Sequence, residues 1–429
     1  MPVRLDIGDA GFARQFQDLL GMKRESDQDI TDTVAEIIAM VRAQGDAALF
    51  DYTRQFDRFD ITAANLRVSD AEIDAACRAC AGDTLEALRL AHDRITAFHL
   101  HQVPQDLAFT DDAGVSLGYR WTAVEAAGLY VPGGRAAYPS SLLMNAVPAS
   151  VAGVERVIIC VPTPDGVLNP LVLAAARICG LNEIYRVGGA QAVAAMAYGT
   201  DSIPAVSKIV GPGNAYVASA KRQVFGQVGI DSIAGPSEIL VLADAGNDPA
   251  WIAADLLSQA EHDPVAQAIL MTDDPAFAAA VEGAIGSHLR TLGKADIASA
   301  SWRDFGAIIV LDDLEQAPAL IDALAPEHLE IATEQAAQMA ARIRNAGAIF
   351  IGRHTPEAIG DYIAGPNHVL PTARSARFSS GLGVLDFMKR TSLIQCSSDS
   401  LGRVGPAAVT LARAEGLDAH ALSVSIRLN

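Results

Sequence analysis

The 429-residue sequence is poor in cysteine, has no uninterrupted apolar run long enough to cross a membrane, and carries no excess of positive charge. Each absence excludes something. Five cysteines (Cys77, Cys80, Cys160, Cys179 and Cys396) are too few and too scattered for a disulfide framework. Cys77 and Cys80 form a Cys-x-x-Cys, but the second pair of a zinc ribbon is missing, and their alanine-rich helical setting suits packing. The most apolar long window, Met144 to Val161, is broken by Glu155 and Arg156, which argues against a membrane span. With 32 basic against 51 acidic residues the net charge is −19, a field that repels nucleic acid and anionic membrane. The first ten residues carry aspartates where a secretory leader needs an apolar stretch, so a cytoplasmic location is expected. No repeat of fixed short period is visible.

What is present is globular: half the residues are hydrophobic, and the length suits two or three domains. Residues 1–25 read as a short helical lead-in, with Phe12, Phe16, Leu19 and Leu20 on one face. Ile30, Val34, Ile37, Ile38 and Val41 mark an amphipathic helix, and a charged helical pattern runs from Asp70 to His101 as outer scaffold.

From Trp121 the character changes to short apolar strands alternating with helices. The strands read as Val157–Val161, Glu183–Val187, Lys208–Val210, Ile239–Ala243, Ala268–Met271, Ala307–Leu311 and Ala348–Ile351. This alternation predicts an α/β protein with two lobes, each a parallel sheet covered on both faces. Ligands of such sheets sit beyond the carboxyl ends of the strands, so the turns there become candidates. They are Tyr130 before Pro132-Gly133-Gly134, Gly188-Gly189-Ala190-Gln191 and Gly211-Pro-Gly-Asn214, with Ala234-Gly-Pro-Ser-Glu238 preceding another strand. Any one could be an ordinary tight turn, and none is a full dinucleotide fingerprint. Several in successive loops of one sheet are harder to dismiss.

Asn247 to Asp263 reads as a helix capped by Asp248, opened by Pro249 and ended near Pro264. Trp251, Ile252, Leu256 and Leu257 form its apolar stripe, and Ser140 or Ser141 can cap an earlier helix. Gln259 and His262 then share one face of its last turn, as half of a metal site or merely as a polar helix end. His92, His99, His101, His288 and His354 lie in charged contexts and read as solvated. His262, His328, His368 and His420 lie in polar clusters with Glu327, Asp361 and Glu415 nearby. Such a nitrogen and oxygen set suits zinc with an open position for substrate, although spacing alone does not choose the four ligands. Glu327-His328 offers a base and a water activator, or simply the start of a helix after Pro326.

These residues carry a resemblance that spans the chain. Gly128-Leu-Tyr-Val-Pro-Gly-Gly134, Arg186-Val-Gly-Gly-Ala-Gln191, Ile209-Val-Gly-Pro-Gly-Asn-Ala-Tyr216 and Ala234-Gly-Pro-Ser-Glu238 resemble segments of the L-histidinol dehydrogenase family. So do Gln259-Ala-Glu-His-Asp263, Pro326-Glu-His-Leu-Glu330, Gly360-Asp361, Asn367-His-Val-Leu-Pro-Thr372 and Glu415-Gly-Leu-Asp-Ala-His420, in the family's order. The resemblance implies oxidation of L-histidinol through L-histidinal to L-histidine in two NAD-dependent steps. It implies one zinc per subunit on Gln259, His262, Asp361 and His420, with His420 supplied by the partner of a homodimer. Glu327 and His328 become the acid–base pair, and Tyr130, Gln191 and Asn214 the NAD contacts. Ser237, Gln259, His262, His328, Asp361, His368, Glu415 and His420 become substrate contacts.

The implied architecture resembles aldehyde dehydrogenases. Residues 26–127 with 239–382 are expected to form a main lobe, 128–238 a second lobe with the cofactor loops, and 383–429 a tail that reaches the partner. Three rivals follow. One is a related enzyme acting on another polar alcohol. Another is a zinc hydrolase using Glu327, which leaves the glycine loops unexplained. The third is a non-catalytic metal-binding protein.

Overall fold

The computed structural model describes residues 2–22, 28–133, 138–233 and 235–428. Gly134 and Ala234, both part of the glycine-rich motifs, lie outside the described residues. The strands in chain order are β1 (Val3–Asp6), β2 (Leu107–Thr110), β3 (Ser116–Ala123), β4 (Ala126–Tyr130), β5 (Arg156–Cys160), β6 (Ile184–Tyr185) and β7 (Lys208–Val210). They continue with β8 (Gly229–Ile230), β9 (Glu238–Ala243), β10 (Gln267–Thr272), β11 (Ala307–Val310), β12 (His328–Ala332), β13 (Ala348–Ile351) and β14 (Met388–Gln395).

Two parallel sheets form, as the alternation predicts. One runs β6-β5-β4-β7-β8 and the other β1-β11-β10-β9-β12-β13. Numbered within its own lobe, each sheet contains the order 3-2-1-4-5, which reverses direction beside its first strand. In the first lobe that reversal lies between β4 and β7. In the second it lies between β9 and β12, with β1 added at the far edge. The N-terminal lead-in is therefore more than a helix: Val3–Asp6 pairs in register with Ala307–Val310, ahead of the expected helix Phe12–Leu20.

The division into lobes differs from expectation. A parallel sheet must be covered on both faces, and the early helices cover the first lobe. Val34, Ile37, Val41 and Leu49, from helices Gln28–Gln44 and Asp46–Asp57, pack in one core with Ile158, Val193 and Val217. Ile73, Leu88 and Ile95, from helices Asp70–Ala79 and Gly82–Leu100, pack on the opposite face with Leu129, Leu143, Val147 and Ile159. Residues 28–100 thus belong with 126–230. The other sheet is covered on one side by helices Pro249–Ala260, Pro275–His288 and Ala295–Phe305, and on the other by Phe12–Leu20 and Ala317–Leu324.

A third, antiparallel sheet, β14-β3-β2, was not foreseen. The tail does not start free at 383 either. Val384 and Phe387 are buried in the first lobe's core, and β14 pairs with Ser116–Ala123 along its whole length. Beyond it, helices Ser398–Ala414 and Asp418–Ser425 pack on each other.

Candidate active site between the lobes

The helix Pro249–Ala260 forms as read. Asp248 Oδ1 accepts the Ala250 N–H at 2.8 Å, and Pro249 occupies the first turn. Trp251 departs from the stripe, half exposed against the His354 ring. Gln259 ends the helix fully buried, whereas His262 lies just past it and is exposed. The start of another helix differs: it begins at Pro139 with Tyr138 as its cap, so Ser140 and Ser141 lie inside its first turn.

Glu327 does not open a helix. The segment enters β12 at His328, next to β9, which starts at Glu238. Two buried strands side by side bring their first residues together. The Glu238 N–H donates to Glu327 Oε2 at 2.9 Å, and His328 Nδ1 is 3.0 Å from the Glu238 carbonyl oxygen. A carbonyl only accepts, so Nδ1 carries the proton and Nε2 presents its lone pair. Nε2 is buried without a hydrogen-bond partner among the described residues. It faces Glu357 Oε1 at 3.7 Å and Asp361 Oδ1 at 3.9 Å.

Burial dominates the electrostatics here. It pushes His328 down to about 4, leaving the imidazole neutral at physiological pH. It pushes Glu327 well above the ordinary carboxylate range, and the neighbouring Glu238, Glu357 and Asp361 add to the shift. A carboxyl so placed is a stronger base whenever it is ionised. His368 is lowered by burial too; its Nδ1–H donates to the Asp361 carbonyl at 2.9 Å, and Ser141 Oγ is 3.4 Å from its Nε2. His262 is close enough that its charge further disfavours protonation of both His328 and His368. Ser237, half-buried, leads into β9.

His328, Glu357 and Asp361 form a compact trio whose ligand atoms lie within 4.8 Å of one another. Only Asp361 of these was an expected zinc ligand. Among the described residues no lysine or arginine pairs with Glu327, Glu357 or Asp361. Buried carboxylates without a cation are costly, and an unpartnered imidazole nitrogen adds to the cost. The donor set of imidazole, carboxylate and amide therefore fits a divalent ion such as zinc.

Sequence reasoning missed Glu357. It follows Pro356, where a glutamate reads as a simple helix start. Its spacing of four from Asp361 on helix Glu357–Tyr362 was the available signal. Glu415 and His420 are exposed on the tail, and among the described residues no hydrogen bond or ion pair joins them to this cluster.

The first lobe contributes its carboxyl edge. Tyr130 ends β4 at the sheet's reversal, buried, and its hydroxyl accepts the Gly189 N–H at 3.1 Å; burial raises the phenol to about 12. Gln191 is buried beside it with Oε1 unpartnered among the described residues. After β7, Gly211 adopts φ +116, and a Cβ there would sit 2.1 Å from the Tyr130 carbonyl oxygen. Asn214 is exposed and caps helix Ala215–Val224, its Oδ1 accepting from Tyr216 and Val217. Positive-φ glycines and a helix start thus meet at the sheet's reversal point, where open parallel sheets can accept an anion.

His99 corrects one expectation, being buried with Nδ1–H donating to the Ile95 carbonyl at 2.8 Å.

Residues 21–428 match the family model of histidinol dehydrogenase. A histidinol dehydrogenase of Rhodospirillum rubrum is 66% identical over 430 residues, covering 100% of this chain and 99% of the relative. That of Nitrobacter winogradskyi is 64% identical over 429 residues, covering 100% of both. The crystal structure of histidinol dehydrogenase from Elizabethkingia anophelis superposes with a TM-score of 0.94 at 34% identity, covering 100% of this chain and 98% of that one. A match of this extent, carried by an α/β fold with two parallel sheets and a site at their junction, places the chain in the histidinol dehydrogenase family.

Proposed function

We propose that this oxidoreductase converts L-histidinol to L-histidine through L-histidinal in two successive NAD-dependent oxidations, as a zinc enzyme completing histidine biosynthesis. The observation that carries the reading is His328: a buried, neutral imidazole with a free Nε2, set among carboxylates at the junction with a dinucleotide-type edge.

Asp361, Gln259 and His262 would hold zinc from this chain, with His420 coming from a second copy, as the resemblance implies; in its own chain His420 is exposed on helix Asp418–Ser425. Bound zinc would supply Lewis-acid polarisation and an anchor for the substrate's amine and ring, and NAD would accept the hydrides. His328 Nε2 takes the hydroxyl proton in the first oxidation. Glu327, raised in basicity and held by the Glu238 N–H, takes a proton from the water that attacks the aldehyde. The hydrate then loses the second hydride. Ser237 and His368 contact substrate, with Glu415 of a second copy pairing with its cationic amine. Tyr130, Gln191 and Asn214 line the cofactor's path. The buried cysteines do not serve this chemistry: burial pushes the Cys160 thiol well up, away from a reactive thiolate.

A homodimer is supported by the tail. Ile394, Leu411 and Leu422 are 74%, 64% and 61% exposed on β14 and the last two helices, an apolar surface that calls for a cover. Among the described residues no helix is long and apolar enough to cross a membrane. We place the enzyme in the cytoplasm.

The test is the NADH formed per L-histidinol consumed, with and without a chelator. Two per substrate, abolished by chelation and restored by zinc, is the expected result. Turnover of a different alcohol and none of histidinol would instead make this a related enzyme of altered specificity.

A further inference from the structure

The zinc reading leaves one question of chemistry open: how a glutamine comes to offer a metal its oxygen. A side-chain amide has an acceptor end and a donor end of nearly equal shape, and only the oxygen coordinates a cation. Hydrogen bonds decide between the two orientations. At Gln259 they agree when the NH2 donates to Glu357 Oε1 at 2.8 Å and the oxygen accepts the Glu238 N–H at 2.8 Å. The reverse orientation would set the amide oxygen against a carboxylate and the NH2 against a backbone N–H.

We infer that Glu357 is the positioning residue of this site, holding the Gln259 amide so that its oxygen rather than its nitrogen is offered to the metal. The inference rests on the zinc reading above and adds to it a residue that the ligand set lacks. Glu357 is built for the task. It is 1% exposed, and Ser258 Oγ donates to its other oxygen at 2.9 Å. Glu357 and Asp361 stand four apart on one short helix, so the residue that orients one ligand is rigidly tied to another ligand. The Glu238 N–H also donates to Glu327 Oε2, so the metal ligand and the proposed base share one backbone donor. An ionised carboxylate at 357 can only accept, which turns the Gln259 NH2 toward it. A glutamine there could pair with either end of the Gln259 amide and would no longer select one.

The experiment is a double-mutant cycle read by zinc affinity, measured on metal-stripped full-length protein by competition with a chromophoric chelator. Glu357→Gln is expected to weaken zinc binding by about 10- to 100-fold, the usual cost of losing an orienting partner of a ligand. In a Gln259→Ala background the same change should have little further effect, because the amide it acts on is gone. An equal loss in both backgrounds would overturn the inference, making Glu357 an independent ligand or a charge acting at a distance. Unchanged affinity in Glu357→Gln would overturn it as well. If Glu357→Gln does not fold, the cycle is run with Glu357→Asp, whose shorter side chain withdraws from Gln259, and the same outcomes decide. Wild-type protein that takes up no zinc would sink the zinc reading itself, and this inference with it.

Discussion

The two lobes share the strand order 3-2-1-4-5, yet the proposed site draws on opposite ends of it. In the first lobe the loops after β4 and β7 carry the cofactor candidates, beyond the carboxyl ends where ligands of open parallel sheets gather. In the second lobe the proposed catalytic groups Glu327 and His328 lie at the amino ends, beside Glu238, as β9 and β12 begin. The carboxyl end of that lobe's reversal is bridged by side chains. Arg353 Nη2 donates to both oxygens of Asp244 at 2.7 and 2.8 Å, and the Glu334 N–H donates to Asp244 Oδ2. Asn247 Nδ2 bonds the Ala332 carbonyl oxygen across the gap at 2.6 Å. These contacts bridge the crevice, although Asn247 Oδ1, Thr333 Oγ1 and Arg353 Nε have no partner among the described residues. Strand order states where a ligand can sit; here the two ends differ in charge pairing, since Arg353 neutralises Asp244 at one end and no lysine or arginine among the described residues pairs with Glu327, Glu357 or Asp361 around His328 at the other.

The largest effects should come from the amino edge. Glu327→Gln and His328→Asn are each expected to lower kcat by about 10²- to 10⁴-fold, the range for losing a general acid or base. Glu327→Gln should impair oxidation of added histidinal more than substitution of any cysteine does. Equal effects would break the division of roles. Next comes the first lobe's carboxyl edge. Gly211→Ala drives a Cβ into the Tyr130 backbone at a positive φ and should raise KM for NAD by roughly tenfold or more through strain of about 1–3 kcal/mol. Zinc affinity, measured separately, should stay as it was.

The bridged edge should matter to stability alone. Asp244→Asn removes the charge that Arg353 pairs with and is expected to cost about 1–3 kcal/mol in denaturant unfolding, with kcat and KM retained. A loss of turnover in the folded variant would mean that this end is also functional. The smallest effect concerns His99, remote from both edges. Burial lowers its pKa, so between that value and the unfolded value of about 6.5 the unfolded chain binds a proton that the folded one refuses. Its contribution to stability is thus present above pH 6.5 and is lost as pH falls below it. His99→Gln should flatten that acid limb of a stability–pH curve.

The strands and their connecting helices were legible because apolar runs of strand length alternate with helices bounded by proline and capping residues, as at Asp248-Pro249. The lobe to which residues 28–100 belong was not. Val34 or Ile73 declares an apolar face, but nothing local states which sheet that face covers. The antiparallel sheet was missed because β3 and β14 are more than 260 residues apart and β14 is exposed without alternation, although Leu117, Tyr119, Trp121 and Ala123 of half-buried β3 do alternate. Pro326-Glu327 is locally consistent with a helix start, and only the pairing of β12 with β9 overrides it. Among the site residues, Asp361, His368 and Gln259 are drawn together by the fold, whereas Glu357 hid behind an ordinary helix-start pattern.

The central claim is that the carboxyl edge of one lobe hands a cofactor's reactive end to the amino edge of the other. Nuclear relaxation of NAD bound to protein loaded with a paramagnetic ion in place of zinc tests this directly. The account predicts that the nicotinamide protons relax faster than the adenine protons, because the nicotinamide lies nearer His328 and Asp361. Stronger relaxation of the adenine protons, or none at either end, would contradict it.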